Sequence, residues 1–450
     1  MTDTITRQVA DYLAAAGQAP LPDEVAAKTA LHVLDTLAAG ISGSRLPAGI
    51  RGLEFARMFP ATGRAALWGT ADSSDALTAA LVNGMASHAD ETDDSHAPSV
   101  SHPGCGVVPA AVALADGREI SGDRLLRAVA AGYDCGTRMN MALGRSRFDD
   151  RAGCQSSHAC ASLFGAVAAG VVLLELDSDR AMAALAYASQ LMSGTNTWLR
   201  DPAHVEKAFV FAGMPSRNGV FATMIATAGW ENVPDAFDYE PNFLVAAGGD
   251  PQPEILVDGL GERYAVMDTN IKKYAVGSPA QAPVQAVENL VREHGLTAGD
   301  VAGIEILLPA NAAHVVDNRK MADICVQYLV AGTLLDGRFS FAMAHDDARM
   351  DAADVQRLRA MTTLTADEST SGTRSGTVIV QTTDGRLLRE VVKDVRGTAQ
   401  NPMTPAEIEA KCEELLAPVL GAEPARDLIG GVLGLPGSEK VSLGELTRPA

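Results

Sequence analysis

The segment that organises the chain is His88-Ala-Asp-Glu-Thr-Asp-Asp-Ser-His-Ala-Pro-Ser-Val-Ser-His102-Pro-Gly104. It holds three histidines, three aspartates and one glutamate, in a chain otherwise rich in alanine, leucine, valine and glycine. Burying so many ionisable groups costs free energy unless they are paired or used. The apolar residues that follow, Val107 to Leu114, indicate that the segment runs back into the protein. We therefore expect the rest of the chain to form a scaffold around it.

Three interpretations of this segment are open. Charge-rich loops are commonly solvated surface loops. Asp93 and Asp94 with the flanking histidines can bind an ion, although the segment has neither HExxH nor EF-hand spacing. An acidic residue beside a histidine can instead fix the imidazole tautomer and raise its basicity, which suits acid–base catalysis. We favour acid–base catalysis and expect no metal.

Length and charge limit the class of protein. A chain of 450 residues is too long for one ordinary core, so two domains are expected. The apolar fraction of 47% and the charged fraction of 20% indicate a globular protein. The net charge of -20 argues against nucleic acid and against anionic membrane surfaces. An anionic substrate would need a local basic pocket.

Cysteine usage and hydropathy predict a reduced, cytoplasmic protein. None of the cysteines forms a CxxC pair or a zinc spacing. The first residues lack a basic stretch followed by an apolar one, so no signal peptide is predicted. The longest apolar run, 163–176, is shorter than the roughly 20 residues of a membrane span. The cysteines are Cys105, Cys135, Cys154, Cys160, Cys325 and Cys412.

Helical patterns dominate up to about residue 255, and strand patterns appear after it. The predicted helices of the first part are 5–16, 21–40, 74–88, one that begins at 109–115, 122–143, 160–176, 178–193 and 219–229. The second part has a strand at 301–308, a hairpin over 377–392 with Asp384-Gly385 as its turn, and helices near 280–294, 320–336 and 352–361. A capping box at Thr404-Pro-Ala-Glu407 begins a final helix that reaches about Leu420.

These patterns predict a mainly α protein with two domains. The larger, all-helical domain covers residues 1–259 and is completed by residues 401–450, because the final helix is expected to pack back on it. The smaller α+β domain covers residues 260–400.

Further candidate residues lie outside the opening segment. His158 precedes an Ala/Gly-rich helix, where helix N-termini attract anions, but it can equally be a cap or a packed polar residue. Lys207 lies among apolar residues, and Lys272 and Lys273 precede Tyr274. Each lysine alone is best explained as a solvated charge, whereas several that converge would bind a polycarboxylate. No GxGxxG or GxxxxGK[ST] signature supports nucleotide binding.

Short motifs occur in order along nearly the whole chain. They are His88-Ala-x-Glu-x-Asp-Asp-Ser-His96, His102-Pro-Gly104, Gly132-Tyr-Asp with Arg138, Phe164-Gly-Ala, Lys207…Gly213-Met-Pro-Ser-Arg-Asn-Gly219, Ile271-Lys-Lys-Tyr274 with Gly277-Ser-Pro, Tyr328…Leu335-Asp-Gly337, Asp384-Gly385 and Asn401-Pro-Met-Thr404. Together they resemble the MmgE/PrpD family. The family histidine that precedes the Ala-rich helix would fall at Ser156 by strict spacing, two residues before His158.

The resemblance implies a large helical domain joined to a smaller α+β lid domain, a site without cofactor in the cleft between them, and homodimers. It carries the family's active-site positions to Asp93 or Glu91, Ser95, His102, Lys207, Lys272 and Tyr328.

We expect the enzyme to abstract a proton beside a carboxylate of a small di- or tricarboxylic acid. His102 would be the acid–base residue, oriented by Asp93 or Asp94. Lys272, with Lys207 or Arg217, would stabilise the carbanion. Tyr328 and His158 are the candidates for the second proton transfer. Glu91, Asp94, Ser95 and Lys273 complete the predicted substrate-binding set.

The same carbanion serves three reactions. Loss of a β-hydroxyl gives a 2-methylcitrate dehydratase-like hydro-lyase, which we rank first. Return of the proton on the opposite face gives an epimerase of the iminodisuccinate type, ranked second, and loss of CO₂ gives a cis-aconitate-type decarboxylase. A polycarboxylate-binding family member without turnover and a metal hydrolase remain as alternatives of other classes.

Overall fold

The computed structural model describes residues 4–60, 62–144, 156–247, 249–369 and 374–449. Two compact units account for the chain. Unit 1 comprises Met1–Ala89, Asp93–Asn270 and Pro405–Ala450, and unit 2 comprises Asp90–Thr92 and Ile271–Thr404. The opening segment is therefore divided, because its residues Asp90–Thr92 belong to unit 2 while its remaining residues belong to unit 1.

In its described residues, unit 1 consists of helices and loops with two pairs of two-residue strands. Its strands β1 (Ala65–Ala66) and β2 (Ser73–Ser74) pair antiparallel, as do β3 (Ser95–His96) and β4 (Thr269–Asn270). Its first eleven helices are α1 (Ile5–Ala16), α2 (Asp23–Gly43), α3 (Pro47–Ala56), α4 (Ala76–Ser87), α5 (Pro103–Ala115), α6 (Gly122–Ala142), α7 (Ser157–Leu173), α8 (Ser178–Leu191), α9 (Val205–Ala208), α10 (Met214–Thr227) and α11 (Phe243–Ala247).

Small residues let the central helices of unit 1 approach closely. A Cβ added to Gly132 on α6 would lie 2.8 Å from the carbonyl oxygen of Gly165 on α7 and 2.6 Å from Val107 on α5. Gly165 shows the reciprocal contacts with Gly132 and Val107. Glycine is thus required at the point where α5, α6 and α7 meet, and this explains the Ala/Gly-rich composition of that part of the sequence.

Unit 2 contains a four-stranded sheet covered by helices. The strands β5 (Val301–Pro309), β6 (Thr362–Asp367), β7 (Gly376–Thr382) and β8 (Leu387–Val392) are arranged in the order β6-β5-β7-β8, with only the β5–β6 pair parallel. The helices of this unit are α12 (Gln281–His294), α13 (Ala310–Val316), α14 (Val326–Asp336), α15 (Phe341–Ala344) and α16 (Ala353–Ala360). The predicted hairpin is confirmed, and Gly385 in its turn has a φ of 87° that favours glycine.

The fold class, mainly α with a small sheet in the second part, is confirmed. Three helix predictions were wrong. Helix α5 begins at Pro103 and contains Pro109, so the start signal is the earlier proline. Helix α10 begins at Met214 because it continues a π-helical turn, Phe209–Gly213. The helix from residue 405, α17 (Pro405–Leu420), is not the last, since α18 (Ala422–Leu433) and α19 (Leu443–Leu446) follow it.

The described cysteines are buried thiols, namely Cys105, Cys135, Cys160, Cys325 and Cys412. Cys154 lies outside the described residues. Within the described part of the chain, no helix combines the length and the apolar character needed to cross a membrane.

Candidate functional site

The opening segment is built between two helices of unit 1. Helix α4 ends at Ser87, with His88 as its C-cap residue, and α5 begins at Pro103 directly after His102. Between them, Ser95 and His96 form β3 against Asn270 and Thr269 of β4. Asp93 and Asp94 are fully buried, and so is His88. The surface-loop interpretation is therefore wrong for these residues.

Asp94 joins three parts of unit 1. Its Oδ2 accepts hydrogen bonds from His32 Nδ1 on α2, at 2.7 Å, and from the hydroxyl of Tyr133 on α6. Its Oδ1 accepts from the backbone N–H of Gly104 at 3.0 Å. Both carboxylate oxygens are thus engaged by groups of the protein itself. We infer that Asp94 organises the segment, and its predicted substrate binding stays a prediction.

Gly104 explains why His102-Pro-Gly can approach this carboxylate. A Cβ at position 104 would lie 2.7 Å from the hydroxyls of Thr36 and Tyr133 and 2.9 Å from the Asp94 carboxyl carbon. Only glycine leaves room for the backbone to donate to Asp94.

His102 is oriented by a backbone carbonyl. Its Nδ1 lies 2.6 Å from the carbonyl oxygen of Asp94 and 3.5 Å from Oδ2 of Asp93. Because a carbonyl oxygen can only accept, Nδ1 carries the proton, and in the neutral ring the lone pair is on Nε2. The side chain is 11% exposed. This is the tautomer of a base that takes a proton through Nε2.

Asp93 links His102 to a second histidine. Its Oδ2 lies 2.8 Å from His88 Nδ1. The rings of His88 and His102 are 5.1 Å apart, measured between centroids. His88 therefore belongs to the site as well as capping α4, because it shares the Asp93 carboxylate with the candidate base.

Phe211 is the aromatic platform of the site. The ring of His158 stacks on it at 3.9 Å and that of His88 at 4.6 Å, while His102 lies at 6.0 Å. His204 joins the same group through its ring contact of 5.4 Å with His88. We call His88, His102, His158 and His204 with Phe211 the histidine cluster. Phe211 lies in the π-helical turn, a type of turn that is frequent at functional sites.

His158 and Lys207 both reach this cluster from distant positions in the sequence. His158 lies in the first turn of α7, and its ring is 5.5 Å from that of His102. Lys207 on α9 places its Nζ 5.2 Å from the centroid of Phe211 and 5.7 Å from that of Trp198. Unit 1 thus brings together His102, Asp93, His158 and Lys207 of the predicted site.

Ser95 and Arg217 complete the predicted residues of unit 1. Ser95 is buried in β3. Arg217 on α10 is exposed, lies over the ring of Phe221 and donates to the side chain of Asn218. The structure therefore does not bring Arg217 into the histidine cluster.

Lys272 and Glu91 form a buried pair within unit 2. The Lys272 Nζ donates to the Glu91 carbonyl oxygen at 2.7 Å and lies 3.4 Å from its Oε2. Glu91 has a φ of 57°, a left-handed conformation that is uncommon for a residue with a side chain. The adjacent carbonyl of Asp90 faces His345 Nε2 at 3.0 Å. These contacts hold Asp90–Thr92 in unit 2.

The other predicted residues of unit 2 have their own partners. The Lys273 Nζ lies 3.2 Å from Glu288 Oε2, on the exterior. The Tyr328 hydroxyl donates to the carbonyl oxygen of Met343 at 2.7 Å. Burial raises the pKa of Tyr328 to about 12, so its proton is held at neutral pH.

His96 is neutral despite its acidic neighbours. Burial lowers its pKa to about 4, although Asp268 and Asp94 oppose this effect. Its Nδ1 lies 2.8 Å from the Ser99 hydroxyl and 3.2 Å from the Ser99 backbone N–H. It fixes the turn that leads to His102.

Comparison with known proteins identifies the family. Residues 7–256 match the MmgE/PrpD N-terminal domain, and residues 274–433 match the MmgE/PrpD C-terminal domain. The chain belongs to the MmgE/PrpD family.

Several known proteins are similar to this chain along most of their length. The cis-aconitate decarboxylase of Aspergillus terreus is 23% identical over 96% of this chain and 93% of its own. A cis-aconitate decarboxylase-like protein of Aspergillus oryzae is 23% identical over 97% and 96%. The human cis-aconitate decarboxylase is 25% identical over 77% of this chain and 73% of its own.

A divalent cation has one geometrically suitable position among the described residues of unit 1. Ligand atoms of His88, Asp93 and Cys105 lie within 4.8 Å of one another. However, the Cys105 thiol donates to the carbonyl oxygen of His102 at 3.1 Å, and His88 Nδ1 is engaged by Asp93. Because cysteine binds a metal as the thiolate, metal binding would break the hydrogen bond from the Cys105 thiol to the His102 carbonyl oxygen.

Several residues that contact the His88–Gly104 segment were not predicted from the sequence. They are His32, Tyr133, His204 and Phe211 in unit 1 and, in unit 2, His345, which contacts Asp90. Tyr133 and Phe211 do lie within motifs that carry the family resemblance. Those motifs drew attention to both positions, but the sequence did not assign either residue a role. His32 and His345 carried no local signal.

Proposed function

We propose that this protein is a lyase that removes a proton beside a carboxylate of a small di- or tricarboxylic acid. The observation that carries the proposal is the orientation of His102, whose Nδ1–H is fixed by the Asp94 carbonyl so that Nε2 acts as the base. Membership of the MmgE/PrpD family supports this reaction class.

In the dehydration that we rank first, His102 Nε2 takes the proton from the carbon next to a carboxylate. The electron pair of the broken C–H bond is delocalised into that carboxylate. This electron pair then forms the new C=C bond as the β-hydroxyl leaves. His158, 5.5 Å from His102 by ring centroids, supplies the proton that turns the leaving hydroxide into water. The products are an alkene and water.

Charge complementarity supports a carboxylate substrate. The chain carries a net charge of -20, so an anion needs a local cation. In unit 1, Lys207 supplies such a charge beside Phe211, the ring on which His158 stacks. Lys272, another lysine predicted from the sequence, lies in unit 2 beside Glu91. We propose Lys207 as a ligand of a substrate carboxylate.

Decarboxylation of cis-aconitate is the second candidate, because the similar relatives named above are cis-aconitate decarboxylases. In that reaction the C–C bond to a carboxylate breaks, CO₂ leaves, and the remaining electron pair is protonated by an acid. A histidine of the same cluster would serve as this acid. The resemblance implies a DFDDT-like motif in the decarboxylases, whereas this chain has Glu91-Thr-Asp-Asp-Ser95, and for this reason we rank dehydration first.

The test is NMR in D₂O with 2-methylcitrate, citrate, cis-aconitate and iminodisuccinate as separate substrates. An alkene product from a hydroxy acid supports the dehydratase, and release of CO₂ from cis-aconitate supports the decarboxylase. Deuterium that enters the α-carbon without net conversion identifies an epimerase. Saturable binding without exchange or turnover identifies a binding protein and contradicts the proposal.

The metal hydrolase alternative is tested with the same substrates before and after chelation. Full activity after removal of divalent ions supports the proposed acid–base mechanism. Activity that disappears with the chelator and returns with a divalent ion would contradict it.

A further inference from the structure

We infer that Tyr133 and His32 are positioning residues for His102, acting through the buried carboxylate of Asp94. This inference rests on the proposed function, in which His102 is the base. Neither residue belongs to the segment that contains His102. Tyr133 is on α6 and His32 on α2, and they lie 39 and 62 residues from Asp94 in the sequence.

Asp94 connects Tyr133 and His32 to His102 through two hydrogen bonds. Its own carbonyl accepts the His102 Nδ1–H at 2.6 Å, and its carboxylate accepts the Gly104 N–H at 3.0 Å. Gly104 is two residues after His102, in the first turn of α5. A displacement of the Asp94 side chain would therefore move the acceptor of the His102 proton and the start of α5 together.

The protonation states agree with this role. Burial, together with the charge of Asp94, raises the pKa of Tyr133, so its hydroxyl keeps the proton that it donates. Burial lowers the pKa of His32 despite the bond to Asp94, so this ring is neutral at pH 7 and donates through Nδ1. Removing either donor leaves Oδ2 of this fully buried carboxylate with one hydrogen bond instead of two.

A second tyrosine–aspartate pair, which joins α1 to α6, provides a matched control. Tyr12 donates to Asp134, the neighbour of Tyr133, at 2.9 Å. The other oxygen of Asp134 accepts from the backbone N–H of Ala265. This pair fixes the position of residue 265 and includes no backbone atom of the His88–Gly104 segment.

The first experiment compares Tyr133→Phe with Tyr12→Phe, each of which deletes one hydroxyl that donates to a buried aspartate. For Tyr133→Phe we expect kcat to fall about tenfold while KM changes less than about twofold, since the base is misoriented and the substrate contacts remain. For Tyr12→Phe we expect kcat and KM close to those of the wild type. Equal effects of the two variants on kcat would overturn the inference.

Rescue at His32 gives an independent readout. Asn can place its amide N–H where the imidazole Nδ1–H lies, whereas Leu has no donor. We expect His32→Asn to retain most of the wild-type kcat and His32→Leu to lose it, after both variants have been shown to fold by circular dichroism. Equal losses in the two folded variants would overturn the role of the His32 hydrogen bond.

The tautomer of His102 tests the inference without any substrate. Nitrogen-15 NMR of histidine-labelled protein, with the His102 signal assigned through His102→Gln, reports which ring nitrogen carries the proton. We expect the Nδ1–H tautomer to dominate in the wild type and in Tyr12→Phe, and the Nε2–H population to rise in Tyr133→Phe. An unchanged tautomer population in Tyr133→Phe would overturn the inference.

This measurement also separates the two proposals. If the wild type turns over none of the polycarboxylates, the proposed function fails, whereas the tautomer comparison still decides whether Tyr133 positions the ring.

Discussion

His102 carries its proton on Nδ1 because its partner, the Asp94 carbonyl, can only accept. Replacing it by Gln removes the basic nitrogen and keeps a polar side chain of similar length. We predict that His102→Gln lowers kcat by about 10²–10⁴-fold, the usual contribution of a general base, with little change in KM. Steady-state kinetics on whichever polycarboxylate the wild type converts checks this.

The control for this variant is His294→Gln, the same substitution at an exposed histidine of α12. It should leave kcat at the wild-type value. If His102→Gln retained wild-type kcat and folding, the proton transfer would have to be assigned to another member of the histidine cluster.

Lys207 lies beside the aromatic platform, with its Nζ 5.2 Å from the Phe211 centroid. We predict that Lys207→Met raises KM about tenfold, because one charge-assisted hydrogen bond to a substrate carboxylate is lost. Lys440→Met, the same change at an exposed lysine of unit 1, should leave KM unchanged. A KM for Lys207→Met equal to that of Lys440→Met would remove Lys207 from the substrate site.

Helix α5 begins where it does because Pro103 and Gly104 act together. Pro103 fixes the first turn, and Gly104 lets the backbone come within hydrogen-bonding distance of Asp94. The stronger local signal in the sequence was Pro109 with the apolar residues after it, which is why the start of α5 was placed six residues too late. The close packing at Gly104 involves α2 and α6, and no local pattern encodes it.

The same close packing predicts the effect of Gly104→Ala. The new Cβ would lie within 3 Å of Thr36, Tyr133 and Asp94, so we expect a loss of about 1–3 kcal/mol in the free energy of unfolding and reduced kcat. Gly430→Ala is the control, since its Cβ would have no neighbour within 4 Å in α18. Chemical denaturation should show Gly430→Ala to be neutral or slightly stabilising. Equal stabilities of the two variants would contradict the packing argument.

Across the whole molecule, the sequence predicts pairings between residues that are close along the chain. Contacts between residues far apart in the sequence appear only in the structure. The hairpin of β7 and β8 was predicted because the turn and both strands lie within 17 residues of sequence. The edge strand β6 was missed, since its side chains are mostly polar and none of them is buried. It also pairs with β5, about 60 residues earlier. His32 and Tyr133 reach Asp94 from α2 and α6, so only the packed helices reveal them.

Two buried carboxyl groups of unit 1 make its stability depend on pH. Burial raises the pKa of Asp134 to about 6, against hydrogen bonds from Ala265 and Tyr12 that lower it. Burial likewise raises the pKa of Asp35 to about 6, although Lys411 opposes this. A raised pKa means that the unfolded chain releases its proton at lower pH than the folded protein does. Each group therefore destabilises the folded protein as the pH rises from about 4 to about 6.

Asp134→Asn removes one of these titrations and keeps an oxygen that can accept from Tyr12 or Ala265. We predict that the wild type loses about 3 kcal/mol of stability relative to Asp134→Asn between about pH 3 and pH 7, from a shift of about two pKa units. Above pH 7 the difference should stay constant, because both the folded and unfolded wild-type carboxyl groups are then ionised. Urea denaturation of the two proteins at closely spaced pH values measures this difference. If it stays constant from pH 4 to pH 6, Asp134 has the same pKa in the folded and unfolded states, and burial within unit 1 is balanced by its hydrogen bonds.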